Sequence, residues 1–177
     1  MAAKQKGKPD SKLAFVSAET FLEVIKVLAA AIQSGNTRIL TLALATNAAF
    51  SLEMYLKCLL LLEEGRAPHE HDIHRLFHAL SQSTQSELIE AHKNFVSSNP
   101  SFVEQARQTE SPTDLENLLK LGRNAFTDFR YAHERIPSET VWGLNGLTKC
   151  VRERILELQP SWNSALQEVP DAHRGDG

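Results

Sequence analysis

"ILTLALATNAAFSLEMYLKCLLLL", residues 39 to 62, decides the fold class. Crossing a bilayer takes about 20 apolar residues, and this run is long enough. It also carries Asn47, Glu53 and Lys57. Glu53 and Lys57 are four apart, the spacing of a favourable ion pair on one helical face. Charges in mid-bilayer are costly, whereas a buried helix with one narrow polar stripe is ordinary in a soluble bundle. On a helical wheel Thr46, Glu53, Lys57 and Glu64 share that stripe, and most other directions are apolar. The run therefore reads as a long central helix, covered on nearly all sides by its own bundle or partly by a second subunit.

The flanking sequence extends the same reading. Asn36 is a cap residue ahead of the long helix and Gly65 ends it. Upstream, a first helix is expected over residues 14 to 33, stopping at Gly35. Downstream, "GRAPHEH" leads to a third helix over residues 72 to 80. "TQSE", Thr84 to Glu87, has capping-box spacing and opens a fourth helix reaching Val96, which "SSNPS" ends. "SPTD", Ser111 to Asp114, opens a fifth helix expected to run unbroken to Glu134, with Pro112 in its first turn. A last helix reaches Leu158, its first turns weakened by Gly143 and Gly146. Strand-type alternation is absent, so the expected fold is an all-α, single-domain helical bundle of five to six helices with a long central second helix.

Length and composition agree with that. A chain of 177 residues, 42% hydrophobic and 23% charged, can build one real core. Residues 1 to 12 form a lysine-rich, disordered tail without the character of a secretory leader. Residues 13 to 160 form the bundle, and residues 161 to 177 a flexible tail. Cys58 and Cys150 fall in apolar helical stretches, where thiols are reduced and buried in a cytoplasmic protein. The net charge of -3 gives no global basic signature, so any nucleic-acid contact must come from a local patch.

Two constellations can carry chemistry. "HEHDIHRLFHAL" brings together four of the seven histidines. His71, His74 and His78 fall on one side of a helix, a spacing a metal ion can use. The alternative makes His71-Asp72 the cap turn, with Ile73, Leu76, Phe77 and Leu80 facing the core. The second constellation is "GRNAFTDFRYAHERIP", residues 122 to 137. On one continuous helix His133 joins the apolar face of Leu115, Leu118, Leu119, Ala125, Phe126, Phe129 and Ala132, Arg130 sits at its edge, and Arg123 lies two turns earlier. Two guanidiniums disfavour a charged imidazole, so a neutral histidine beside an arginine pair is suited to holding a phosphate and moving a proton. The alternative pairs Arg130 with Asp128, Glu134 or a carboxylate of another helix.

"NAAFSLEMYLKCLLLLEEG" followed by "HDIHRLFHAL" resembles the HEPN superfamily of helical bundles, and "FRYAHE" is similar to that family's arginine-histidine region. The resemblance spans residues 14 to 158. It implies a homodimer that associates with RNA or nucleotides, or with a protein partner such as an antitoxin, and needs no cofactor. Many such proteins are toxin or defence endoribonucleases that cut RNA without metal. By that resemblance His133 is the acid-base group and Arg130 steadies the phosphate, while Arg123, Asn124, Tyr131, Lys57 and Glu53 contribute to ligand binding. In the family four to six residues separate arginine and histidine. Here Arg130 and His133 enclose two, and Arg123 and His133 enclose nine. The expected function is thus a dimeric binding module. An endoribonuclease is the first alternative, and a metal-binding hydrolase using the histidine cluster the second.

Overall fold

The computed structural model describes residues 9–35, 38–130 and 143–163, with the backbone alone at 38, 39, 129 and 130. The described residues form an all-α bundle. α1 runs Ser11–Gln33, α2 Arg38–Glu64, α3 Ile73–His78, α4 Gln82–Ser98, α5 Pro100–Gln108, α6 Leu115–Leu121, α7 Ala125–Arg130 and α8 Asn145–Leu158, followed by a 3-10 turn at Pro160–Asn163.

α1 starts three residues before the expected position because Asp10 caps it, accepting from the N–H of Lys12 (2.8 Å) and Leu13 (3.2 Å). Gly35 and Gly65 close α1 and α2 with φ of +99° and +69°, the left-handed conformation that favours glycine at a helix end. α1 and α2 pack as an antiparallel hairpin. The Ser51 hydroxyl donates to the Ala18 carbonyl (2.9 Å) and the Phe21 and Phe50 rings meet edge to face.

α2 is the central element, touching α1, α3, α7 and α8. Leu52, Tyr55, Leu56, Cys58, Leu59 and Leu60 are all buried and cover more than half of the helix circumference. Burying a leucine is worth about 1.5–3 kcal/mol, so this one segment supplies much of the drive to collapse. The helix is long and apolar enough to cross a membrane, but 67% of its most apolar window is buried inside the bundle. Phe15 from α1, Ile73, Leu76 and Phe77 from α3, Leu88 from α4, Leu118 and Leu119 from α6, and Leu147, Val151 and Ile155 from α8 complete one core around it. Cys58 and Cys150 are both free and buried in that core.

Two local expectations are corrected. The cap of α4 is Ser81, whose side chain accepts from Thr84 N–H. Thr84 lies inside the helix, and its hydroxyl donates to Glu63 at the end of α2. "SSNPS" ends α4 at Ser98 as expected, and Pro100 within it opens a further short helix, α5, because proline fits the first turn where no N–H is needed. The expected fifth helix is two helices. Asp114, not Ser111, caps α6, and the chain breaks at Gly122, Arg123 and Asn124 before α7 begins. A Cβ at Gly122 would stand 2.6 Å from Leu144 and 3.3 Å from the Leu118 carbonyl, so close packing ahead of α8 favours glycine at the break.

Candidate functional site

The N-terminus of α3 is where separate parts of the sequence converge. Asp72 caps α3 by accepting from Arg75 N–H (3.1 Å). Its other oxygen accepts from Arg123 Nε (3.0 Å) and Nη2 (2.5 Å). Ile73 N–H donates to the Arg123 carbonyl (2.9 Å), so main chain and side chain together bind α3 to the break between α6 and α7. Burial alone would raise the Asp72 pKa, but the Arg123 hydrogen bonds and the Arg75 N–H outweigh it and hold the carboxyl below its ordinary value.

Beside this pair, Glu53 accepts from Lys57 Nζ (2.8 Å) and lies 3.0 Å from His71 Nδ1. The His71 ring packs against Phe126 of α7 at 5.7 Å. Ala125 and Phe126 seat α7 on the alanine face of α2 formed by Ala45, Ala48 and Ala49. The charges are layered. The Glu53 and Asp72 side chains are 1% and 8% exposed, while Lys57, His71 and Arg123 lie outside them at 15%, 59% and 46%. The carboxylates lie deepest, Lys57 is mostly buried beside Glu53, and His71 and Arg123 reach solvent.

The structure thus brings Glu53 and Lys57 of α2 and Arg123 of the α6–α7 break to the start of α3, through His71 and Asp72 respectively. Asn124 is exposed in the break, and its carbonyl accepts from Asp128 N–H (2.8 Å), opening α7. Arg123 and Arg130 are not two turns apart on one helix, since Gly122–Asn124 interrupt it. The backbone of Arg130 ends α7; its side chain, Tyr131 and His133 lie outside the described residues.

The histidine cluster divides in a way the spacing did not reveal. His71 turns to Glu53, as above. His74 and His78 turn to Glu116 of α6 instead, with His74 Nε2 3.1 Å from Oε1 and His78 Nε2 3.1 Å from Oε2. The two rings are 4.5 Å apart. Lys120 also reaches Glu116 Oε1 at 3.1 Å. Hydrogen bonding from His74, joined by Lys120 and His78, outweighs the opposing effect of burial and holds the Glu116 carboxyl down to about 2. His78 and Glu116 also line a cavity of about 770 Å³ whose walls include Phe77, Ile89, Val96, Val103, Leu115 and Leu119. Against it His92 is buried, its Nε2 on the Thr113 carbonyl (3.2 Å) and its Nδ1 without a hydrogen-bond partner among the described residues; burial lowers its pKa.

A third polar cluster lies in the core. Glu19, 1% exposed, accepts from Tyr55 OH (2.6 Å) and from Arg152 Nε (2.6 Å) and Nη2 (3.2 Å), joining α1, α2 and α8. Burial, then the Glu19 hydrogen bond, push the Tyr55 phenol up, so it serves as a donor at all ordinary pH. Its closed geometry marks it as structural. A pair between α1 and α8, 133 residues apart, leaves no local signal in the sequence.

In comparisons with known proteins, no family model, no curated protein and no solved structure matches the chain. The fold and cluster together define an all-α bundle with a layered ionic site at the junction of α2, α3 and α7.

Proposed function

We propose that the chain is a HEPN-like binding module that takes the phosphate backbone of an RNA, or a nucleotide phosphate, on the Lys57–His71–Arg123 face. One observation carries the reading: the two carboxylates of the cluster are buried beneath three cationic or ionisable groups. Asp72 occupies Nε and Nη2 of Arg123 and fixes the guanidinium plane, and Nη1, unpaired among the described residues, is the group offered to a phosphate. Such pre-orientation lowers the ordering cost of binding. Phe126 beside His71 adds an aromatic surface. α7 starts beside this face and ends at Arg130, and the family resemblance assigns phosphate handling to Arg130 and proton handling to His133.

The reading includes a homodimer. Val24, Val27 and Leu42 of the α1–α2 hairpin remain exposed, and these apolar side chains are what a second copy would cover.

The test is binding of a fluorescently labelled single-stranded RNA to the full chain in EDTA. Lys57→Met and Arg123→Lys are expected to weaken it by about 5- to 30-fold each, as loss of a charge-assisted contact of about 1–2 kcal/mol requires. Unchanged affinity in both removes this face from the site. The same reactions, run on a gel, address cleavage. RNA cut in EDTA with cyclic phosphate ends, and spared by His133→Ala, would replace the binding-module reading with the endoribonuclease one.

A further inference from the structure

We propose that His74, His78 and Glu116 form a binding site for a divalent transition-metal ion of the zinc class at the rim of the α3–α4–α6 cavity. The inference is independent of the RNA-binding face, with which the site shares no residue.

The ligand set is two imidazoles and a carboxylate, which suits zinc and its neighbours. His74 and His78 are one turn apart on α3, and Glu116 faces them from α6. Their donor atoms already lie within 4.8 Å of one another. Each Nε2 is 3.1 Å from a different oxygen of the same carboxylate. Donors bound to zinc at about 2.0–2.2 Å stand roughly 3.3 Å apart in a tetrahedron, so little movement is needed.

The surroundings orient His78 for this role. Gln85 donates its amide N–H groups to the carbonyls of Leu80 (2.7 Å) and His78 (3.3 Å). That fixes its Oε1 as the atom facing His78 Nδ1 at 3.3 Å, so Nδ1 carries the proton and donates. With Nδ1–H held by Gln85, Nε2 is the atom left to ligate, and on binding it exchanges its hydrogen bond to Glu116 for a bond to the ion. This is the arrangement in which an outer hydrogen bond sets the tautomer of a metal-binding histidine. Lys120 is the competing cation; its side chain is 58% exposed and can swing into solvent when an ion takes its place. With three protein ligands the ion keeps a coordination position for water or a small ligand, and His78 and Glu116 place it beside the apolar cavity.

The experiment is calorimetric titration of the untagged full chain, stripped with EDTA and dialysed, with zinc chloride alone. One zinc per chain is expected. His74→Ala and His78→Ala should each weaken binding by at least about 100-fold, and Gln85→Leu by about 10- to 100-fold. Lys120→Met should tighten it, and His69→Ala should leave it unchanged, since His69 is exposed outside the cluster. Circular dichroism of each variant confirms the helical fold; the substituted side chains are at least partly exposed, so folding is retained. Cobalt in place of zinc should give the strong visible absorption of a four- or five-coordinate ion. No saturable binding, affinity unchanged in both histidine variants, loss of binding in His69→Ala, or only the faint spectrum of hydrated cobalt would each overturn the proposal.

Discussion

Asp72 does two things at once, and each can be removed separately. Its carboxylate caps α3 and pairs with Arg123. Asparagine keeps a capping oxygen but not the charge, whereas alanine keeps neither. Asp72→Ala should therefore be less stable than Asp72→Asn by about 1 kcal/mol in urea unfolding. Equal stabilities would mean the cap contributes nothing. Glu19 carries a larger stake, because Tyr55 and Arg152 both depend on it. Glu19→Leu should cost about 3 kcal/mol, the lower end for a broken buried pair, since water reaches the 28%-exposed Arg152. A loss under about 1 kcal/mol would show that the cluster is not holding α1 to α8.

At the scale of elements, α4 is fixed by what touches its start and its end. Glu63 of α2 accepts from Ser81 N–H (2.9 Å), Ser81 Oγ (3.0 Å) and the Thr84 hydroxyl. Burial would raise its pKa, yet these bonds and the nearby Arg154 outweigh it and hold the carboxyl below the ordinary value. A carboxyl depressed in the folded state stabilises above its unfolded pKa, and that contribution is lost as pH falls through the folded value. Urea midpoints should thus fall below about pH 4, and Glu63→Gln should flatten that acid limb while lowering stability at neutral pH. An acid limb unchanged by the substitution would remove Glu63 from this role. Near the other end of α4, a Cβ on Gly146 would stand 2.7 Å from two carbons of the Phe95 ring and 3.1 Å from His92. Helix propensity favours alanine over glycine by about 1 kcal/mol, but the clash wins, and Gly146→Ala should destabilise by about 1–3 kcal/mol. Stabilisation would show that α8 can move away.

These elements also show what was legible. The length, centrality and ion pair of α2 follow from one uninterrupted periodic run, because local patterning and burial agree there. Gly146 reads in sequence as a weak helix position, and only the distance to Phe95 reveals why glycine is there. The α6–α7 break was hidden because apolar periodicity continues across Gly122, while the break answers to Leu144 and Asp72, far away in sequence. For the same reason His71, His74 and His78 look like one set, although Glu53 and Glu116 divide them. Spacing along a helix shows which side chains share a face, not which carboxylates meet them.

For the molecule as a whole, the exposed Val24, Val27 and Leu42 bear on assembly. Light scattering at rising concentration should give twice the 19.8 kDa chain mass, and Val27→Glu should return it toward the monomer. A monomer throughout would confine the binding face to a single chain. The central claim is that cations layered over buried carboxylates bind a phosphate backbone in a chain whose net charge is -3. Its most direct test is the association constant for single-stranded RNA measured as salt is raised. The account predicts a linear fall of log K against log salt, with a slope of about -0.7 for each phosphate contacted, made shallower by about one contact in Lys57→Met. A constant independent of salt, or a slope identical in the variant, would contradict it.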